Sequence, residues 1–147
     1  QDDYFDLPPR AIAARRLAEP GSVGLGEVRL DLLGQHVAAF VAGASQIVKP
    51  CVLRGDERIS SERLDFGGAR VLIVEGTYVS RLAPLHWRVF LTADYRQTER
   101  ARRVRARDPI DEHTDAILAV EHRIIQQDKS LADVVLDSWF NRPARLP

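Results

Sequence analysis

The order of apolar and polar residues along the chain predicts strands that alternate with helices. Three short apolar runs have the length of strands, and they lie at about 71–75, 87–92 and 132–136. Apolar residues recur with a helical period from Glu27 to Val41 and again over 111–127. Strands and helices at this spacing favour an α/β protein in which the three strands share one parallel sheet.

The remaining segments predict loops and one smaller element. Residues 2–9 have the pattern of a strand end that runs into a proline-broken loop, and 20–26 form a glycine-containing loop. Residues 46–66 alternate short apolar and charged pieces, which favours a small hairpin outside the core. Gly43 is placed to end the preceding helix as its cap.

Composition and charge exclude several classes of protein. A chain of 147 residues with 45% hydrophobic content is expected to form a single globular domain, 1–147. Its 21 basic and 21 acidic residues balance, so bulk charge indicates neither a nucleic-acid nor a membrane partner. No apolar run reaches the roughly 18 residues of a membrane span. The single cysteine, Cys51, fits a reducing compartment, and we expect a cytoplasmic protein.

Glu75 ends the apolar run Val71–Val74 and is followed by Gly76. Open α/β sheets place their chemistry at the carboxyl ends of the strands. A carboxylate there can bind Mg²⁺, directly or through water, beside a phosphate. The alternative is an acid that caps a neighbouring turn.

The segment 96–107 contains six arginines and is helical by propensity. Arg100, Arg103 and Arg107 share one helical face, and such a cluster favours an anionic ligand, with phosphate the best match. The alternative is a solvated basic face that nearby carboxylates such as Glu99 neutralise. Nucleic-acid binding is disfavoured because no aromatic residues interleave with these arginines.

The first residues offer a further carboxylate pair. Asp2 and Asp3 precede two aromatic residues, and either could act as general base on a hydroxyl or serve a turn. The four histidines and Cys51 lack the spacing of a zinc site. The 147 residues contain no Gly-x-x-x-x-Gly-Lys-Ser/Thr sequence for a nucleotide's phosphates.

Four segments, taken in order, resemble the uridine kinase branch of the P-loop kinases, which also includes phosphoribulokinase-like proteins. They are Gln1-Asp2-Asp3-Tyr4-Phe5, the strand Val71–Glu75 with Gly76, the arginine helix closed by Asp108, and Ala132-Asp133-Val134-Val135. The resemblance implies a P-loop NTPase-type parallel sheet flanked by helices. It also implies ATP-dependent transfer of a phosphoryl group to the hydroxyl of a small molecule, such as a nucleoside.

The same resemblance assigns roles to individual residues. Asp2 is implied to be the base on the substrate hydroxyl, and Glu75 to organise Mg²⁺. Arg100, Arg103 and Arg107 are implied to contact the phosphates of ATP, the first two with a catalytic role. Tyr4 and Arg54 are implied to bind the substrate.

The family's first strand and P-loop have no counterpart in the 147 residues. Because that strand is central in the sheet, its absence would leave two unpaired edges, and we expect a fragment of a longer kinase that is inactive alone. The alternative is a non-catalytic kinase-like binding or scaffold protein that has lost its P-loop. Both alternatives leave a homo-oligomer open.

Overall fold

The computed structural model describes residues 1–105, 111–137 and 143–144. The chain divides into two compact units, Gln1–Leu85 and His86–Pro147, and each is described by itself. In chain order, the helices are α1 (Pro9–Ala18), α2 (Leu30–Val41), α3 (Glu99–Arg105) and α4 (Glu112–Gln127), and the strands are β1 (Gln46–Leu53), β2 (Arg58–Asp65), β3 (Val89–Leu91), β4 (Val134–Leu136) and β5 (Pro143–Ala144). The predicted mixture of helices and strands is confirmed. Across the described ranges, no helix has both the length and the apolar character that crossing a membrane requires.

The hairpin of the first unit forms where the sequence predicts it. β1 and β2 pair antiparallel along their whole lengths, from Gln46 opposite Asp65 to Leu53 opposite Arg58. The turn between them contains Glu57 at a φ of 49°, a backbone conformation that costs a residue with a side chain some strain. The register fixes which residues face the same side of the hairpin, and therefore which can meet α2.

α2 follows its predicted period and ends at the predicted cap. Leu33 and Val37, four residues apart, are its buried residues. Gly43 has a φ of 85°, its N–H donates to the carbonyl of Phe40, and the N–H of Ala44 donates to the carbonyl of Ala39. These two bonds form a Schellman motif, which satisfies the carbonyl groups at the helix end. The glycine therefore stops α2 and directs the chain into β1.

α1 lies in a segment for which the sequence pattern indicated no helix. Pro9 occupies its first turn, where a missing N–H costs nothing, so the two prolines begin a helix instead of only breaking a strand. Only Ile12 is buried in α1, which explains why no clear period announces the helix. The predicted strand end at residues 2–4 is likewise a 3-10 turn, Asp2–Tyr4, with a single bridge between Phe5 and Val28.

α1 is attached to the first unit by a buried carboxylate. The side chain of Glu27, 1% exposed, accepts two hydrogen bonds from Arg16 at 2.7 and 2.8 Å and one from the backbone N–H of Gly24 at 2.9 Å. Arg15 lies 3.8 Å from the same carboxylate and donates two hydrogen bonds to Asp6. Charge-assisted bonds therefore compensate the cost of burying Glu27.

The strand predicted at 71–75 does not join a sheet, so this prediction is wrong in the described structure. The segment is extended, and its even-numbered residues Leu72 and Val74 are half-buried while Val71 and Ile73 are 75% and 84% exposed. Among the described residues of the first unit, the hairpin is the only sheet, and its two strands pair with each other. Leu72 and Val74 instead line a cavity together with residues of the hairpin.

The second unit confirms the other two predicted strands as a parallel pair. Phe90 of β3 lies opposite Val135 of β4, and both are buried together with Ala132 and against Ile125 of α4. β5 adds an antiparallel strand to the other edge of β4. Asp111 precedes α4 as its N-cap: its side chain accepts a hydrogen bond from the backbone N–H of Thr114.

Candidate functional site

A cavity of about 210 Å³ lies within the first unit, where four segments converge. Its lining comes from the first residues of the chain, from α2, from the hairpin, and from the extended segment that ends at Glu75. Sequence reasoning placed the first residues and Glu75 in one site, and both line this cavity. We therefore take it as the candidate functional site of this unit.

Gln1 joins the start of the chain to the segment that ends at Glu75. The backbone nitrogen of Gln1 donates a hydrogen bond to the carbonyl oxygen of Glu75 at 2.8 Å, and the Gln1 side-chain oxygen accepts one from the N–H of Tyr78 at 2.8 Å. Between Glu75 and Tyr78, Gly76 has a φ of 152°. A Cβ at Gly76 would collide with the Cβ of Gln1, so only glycine allows this approach.

We expect Gly76→Ala to lower the free energy of unfolding by about 1–3 kcal/mol, because alanine is strained at this φ and displaces Gln1. Urea unfolding followed by circular dichroism measures the loss. Gly55→Ala in the hairpin turn is the matched control, since a Cβ there meets no atom within 4 Å. Equal stability of the two variants would contradict the close approach of Gly76 to Gln1.

A charged cluster forms one side of the cavity. The Nζ of Lys49 lies 2.6 Å from Asp3 Oδ2 and 2.5 Å from Glu62 Oε1, while Asp3 Oδ1 accepts a hydrogen bond from the N–H of Val52. Burial pushes the pKa of Asp3 upward, but the bonds from Lys49 and Val52 outweigh it and the pKa is lowered. Burial pushes the pKa of Lys49 downward, but the two carboxylates outweigh it and the pKa is raised. The pair of Asp3 and Lys49 is therefore ionised at neutral pH, and Asp3 has a donor on each oxygen.

A neutral polar pair forms another part of the wall. The Tyr4 hydroxyl and His36 Nδ1 share a hydrogen bond of 2.8 Å, and their rings meet edge to face. Burial raises the pKa of Tyr4. Burial also lowers the pKa of His36, and the positive charges of Arg29 and Lys49 lower it further. Both side chains are therefore uncharged at neutral pH.

The lowered pKa of His36 makes the first unit less stable in mild acid. The unfolded chain takes up a proton near pH 6.5 while the folded chain resists it, so stability is lost as the pH falls below that value. We expect His36→Gln, which has no titrating group, to flatten the fall in urea midpoint between about pH 7.5 and 5.5. His113→Gln at an exposed helix start is the control and should retain the slope of the unmodified protein. Identical slopes in all three proteins would refute this origin.

Asp2, the predicted base, lies outside the cavity lining. It is exposed, and its Oδ2 lies 3.2 Å from Nη2 of Arg54, the predicted substrate-binding residue. Tyr4, the other predicted substrate-binding residue, is buried and lines the cavity, and Glu75 also lines it. Of the residues predicted for the site in the first unit, Tyr4 and Glu75 therefore line the cavity, whereas Asp2 and Arg54 do not.

The predicted phosphate-binding arginines belong to the second unit. Arg103 donates to Glu99 one turn earlier, at 2.8 Å from Nε and 2.5 Å from Nη2, so its charge is paired along α3. Arg100 is exposed on the same helix. Arg107 lies outside the described residues. At Arg103 the structure therefore agrees with the alternative of a basic surface that a nearby carboxylate neutralises. The role of these arginines in binding phosphate stays a prediction.

Sequence reasoning missed two residues that line the cavity, His36 and Lys49, and also Glu62, which pairs with Lys49. Lys49 lies directly opposite Glu62 in the hairpin register, so a correct register would have shown the cross-strand ion pair. His36 lies between the buried Leu33 and Val37 on α2, and a histidine at that position commonly has a hydrogen-bond partner. Neither signal points to a particular ligand.

Within the described residues no group of three or more His, Cys, Asp or Glu side chains is arranged to hold a metal ion. Asp3 already accepts hydrogen bonds on both oxygens. Of the two carboxylates that line the cavity, Glu75 is therefore better suited to bind a cation. Comparison with known proteins adds no family: no family model, curated protein or solved structure matches this chain.

Proposed function

We propose that the protein provides the acceptor-binding side of an ATP-dependent phosphotransferase that acts on a hydroxyl of a small molecule. The proposal includes the P-loop NTPase-type fold of the uridine kinase branch. The observation that carries it is the docking of Gln1 onto Glu75 across 74 residues of sequence. This contact supports the proposal because it joins the segment that contains both aspartates to the segment that ends in Glu75, and Asp3 and Glu75 line the same cavity.

The roles in this proposal follow from where the side chains lie. Asp2, exposed beside the cavity and paired with Arg54, takes the proton of the acceptor hydroxyl. Tyr4 and Glu75 both line the cavity, where Tyr4 would contact the acceptor and Glu75 would hold the Mg²⁺ that neutralises phosphate charge. Arg100, Arg103 and Arg107 keep the phosphate-binding role that the resemblance gives them.

The 147 residues provide only some of the groups that a site for ATP and Mg²⁺ needs. Mg²⁺ at phosphate sites uses one or two carboxylates together with phosphate oxygens, which Glu75 can satisfy. The phosphates themselves need successive backbone N–H groups and a lysine, and the sequence has no Gly-Lys-Ser/Thr loop. The cavity therefore accounts for acceptor binding and proton removal, and the phosphate cradle must come from elsewhere.

A calorimetric titration of ATP-Mg²⁺ tests this division of roles. We expect no binding by the 147-residue protein, and binding by a version extended with the upstream coding sequence, followed by ADP formation with an acceptor alcohol or nucleoside. Micromolar binding by the 147-residue protein would show that the nucleotide site is misplaced. An extended version that binds ATP and transfers no phosphoryl group to any acceptor would overturn the proposal.

A second candidate function is a non-catalytic binding or scaffold protein. The observation that favours it is the engagement of both aspartates: Asp3 by Lys49 and Val52, and Asp2 by Arg54. The bonds from Lys49 and Val52 lower the pKa of Asp3, which makes that carboxylate a weaker base. If the upstream coding sequence has no Gly-Lys-Ser/Thr loop, this candidate is preferred.

A further inference from the structure

The walls of the cavity are mainly apolar, and none of the roles proposed above depends on this property. Leu33 and Val37 of α2, Ile47 and Leu64 of the hairpin, and Leu72 and Val74 of the extended segment face it. Leu33 and Val37 are almost completely buried. A polar ligand would lose its hydration against such walls without gaining hydrogen bonds, so the walls favour apolar atoms.

The volume of the cavity limits the size of its occupant. At about 210 Å³ it is larger than the apolar cavity of roughly 150 Å³ that holds benzene, and smaller than the roughly 300–1,000 Å³ of sites for drug-sized ligands. One ring with a short substituent fits this range. A nucleoside has two rings and several polar groups and would extend beyond the walls.

The ion cluster of Lys49, Asp3 and Glu62 offers little stabilisation to a charged occupant. Lys49 is already held between Asp3 and Glu62, so an anion would meet a lysine whose charge two carboxylates offset. A cation would find Asp3 with a donor on each oxygen. The free energy needed to remove either ion from water would therefore exceed the stabilisation that the Lys49 cluster provides.

The uncharged pair of Tyr4 and His36 can form a hydrogen bond with a hydroxyl group of the occupant. The Tyr4 oxygen bonds to His36 and, as a phenol, has further hydrogen-bonding capacity. The other polar residues of the lining include Gln1, Asp3 and Glu75. An occupant with an apolar ring and one hydroxyl satisfies the apolar and the polar parts of the lining together.

We infer that the cavity binds a small uncharged alcohol, with its apolar ring against the apolar side chains of the lining and its hydroxyl at the polar ones. The identification of this alcohol as the acceptor rests on the proposed function. Its binding does not, because the cavity belongs wholly to the first unit and needs no nucleotide.

Ligand-observed NMR on the 147-residue protein tests the inference with four probes. They are cyclohexylmethanol, its charged analogues cyclohexylmethylamine and cyclohexanecarboxylate, and uridine. We expect the alcohol to bind about tenfold or more tightly than each of the other three, a difference that the burial of an unpaired charge or amide readily produces. Equal or tighter binding of uridine or of a charged analogue would overturn the inference, and so would no binding by any probe.

Two neighbouring residues of β1 locate the bound alcohol. Ile47 lines the cavity, whereas Val48, 61% exposed, is not among its lining residues. Ile47→Phe fills the cavity and should weaken binding of cyclohexylmethanol about tenfold, while Val48→Phe leaves it within about twofold. If circular dichroism shows that Ile47→Phe does not fold, Leu72→Phe fills the same space from the opposite wall. Equal affinities of the filled and control variants would place the alcohol elsewhere and overturn the inference.

The failures of the two proposals are distinguishable. If cyclohexylmethanol binds in the cavity and the extended version forms no ADP with any acceptor, the inference stands and the phosphotransferase proposal fails. If the extended version phosphorylates uridine and the alcohol does not bind, the phosphotransferase proposal stands and the inference fails.

Discussion

Replacing Glu27 by alanine is expected to lower the free energy of unfolding by about 3–5 kcal/mol, which is the usual cost of removing one partner of a buried ion pair. The loss has two sources. Arg16 keeps a charge in a site where its side chain is 14% exposed, and the N–H of Gly24 loses its acceptor. Urea unfolding followed by far-UV circular dichroism measures the effect.

Asp6→Ala is the matched control for Glu27→Ala. It removes the carboxylate that pairs with Arg15, but that pair is partly open to solvent and is therefore expected to contribute less than about 1 kcal/mol. Comparable losses in the two variants would mean that burial does not distinguish the two carboxylates, and would contradict the role given to Glu27.

The second large effect is expected at Asp2. In the extended version, Asp2→Asn should reduce the rate of phosphoryl transfer by about 10²–10⁴-fold, the usual contribution of a positioned general base. The binding of ATP should not change, because Asp2 acts on the acceptor. A coupled ADP assay measures the rate, and calorimetry measures ATP binding.

Two variants determine whether Asp2 acts as proposed. Asp31→Asn, at an exposed position of α2, should retain full activity. Asp3→Asn removes the carboxylate that lines the cavity itself. Full activity of Asp2→Asn combined with loss of activity in Asp3→Asn would transfer the base to Asp3, and full activity of both would exclude either residue as the base.

Local patterns predicted those parts of the fold that neighbouring residues determine. The hairpin, α2 with its Gly43 cap, and the two strands of the second unit each depend on a short stretch of sequence. α1 was missed because it has one buried residue, Ile12, and is held mainly by arginine contacts to Glu27. Because these contacts join α1 to Glu27, which lies outside the helix, the pattern of apolar residues within α1 does not indicate them.

The candidate site was predicted in part for the same reason. The motifs placed Asp2, Tyr4 and Glu75 near one another, and Tyr4 and Glu75 line one cavity of the first unit, whereas Asp2 does not. The pairing of Asp3 with Lys49 depends on how the hairpin lies against the first residues, which is a tertiary property. The strand expected at 71–75 was inferred from an apolar run, but a strand also needs a partner at ladder distance, and a single run cannot supply one.

The contact between Gln1 and Glu75 also has a consequence for how the first unit folds. Its partners are 74 positions apart, whereas the hairpin closes across the four-residue turn between Leu53 and Arg58. Loop-closure entropy makes the longer closure more costly by about 2.6 kcal/mol, so the hairpin is expected to form early and the cavity late. Substitutions at Gly76 should then mainly accelerate unfolding and leave the folding rate nearly unchanged, since their contacts are absent from the transition state.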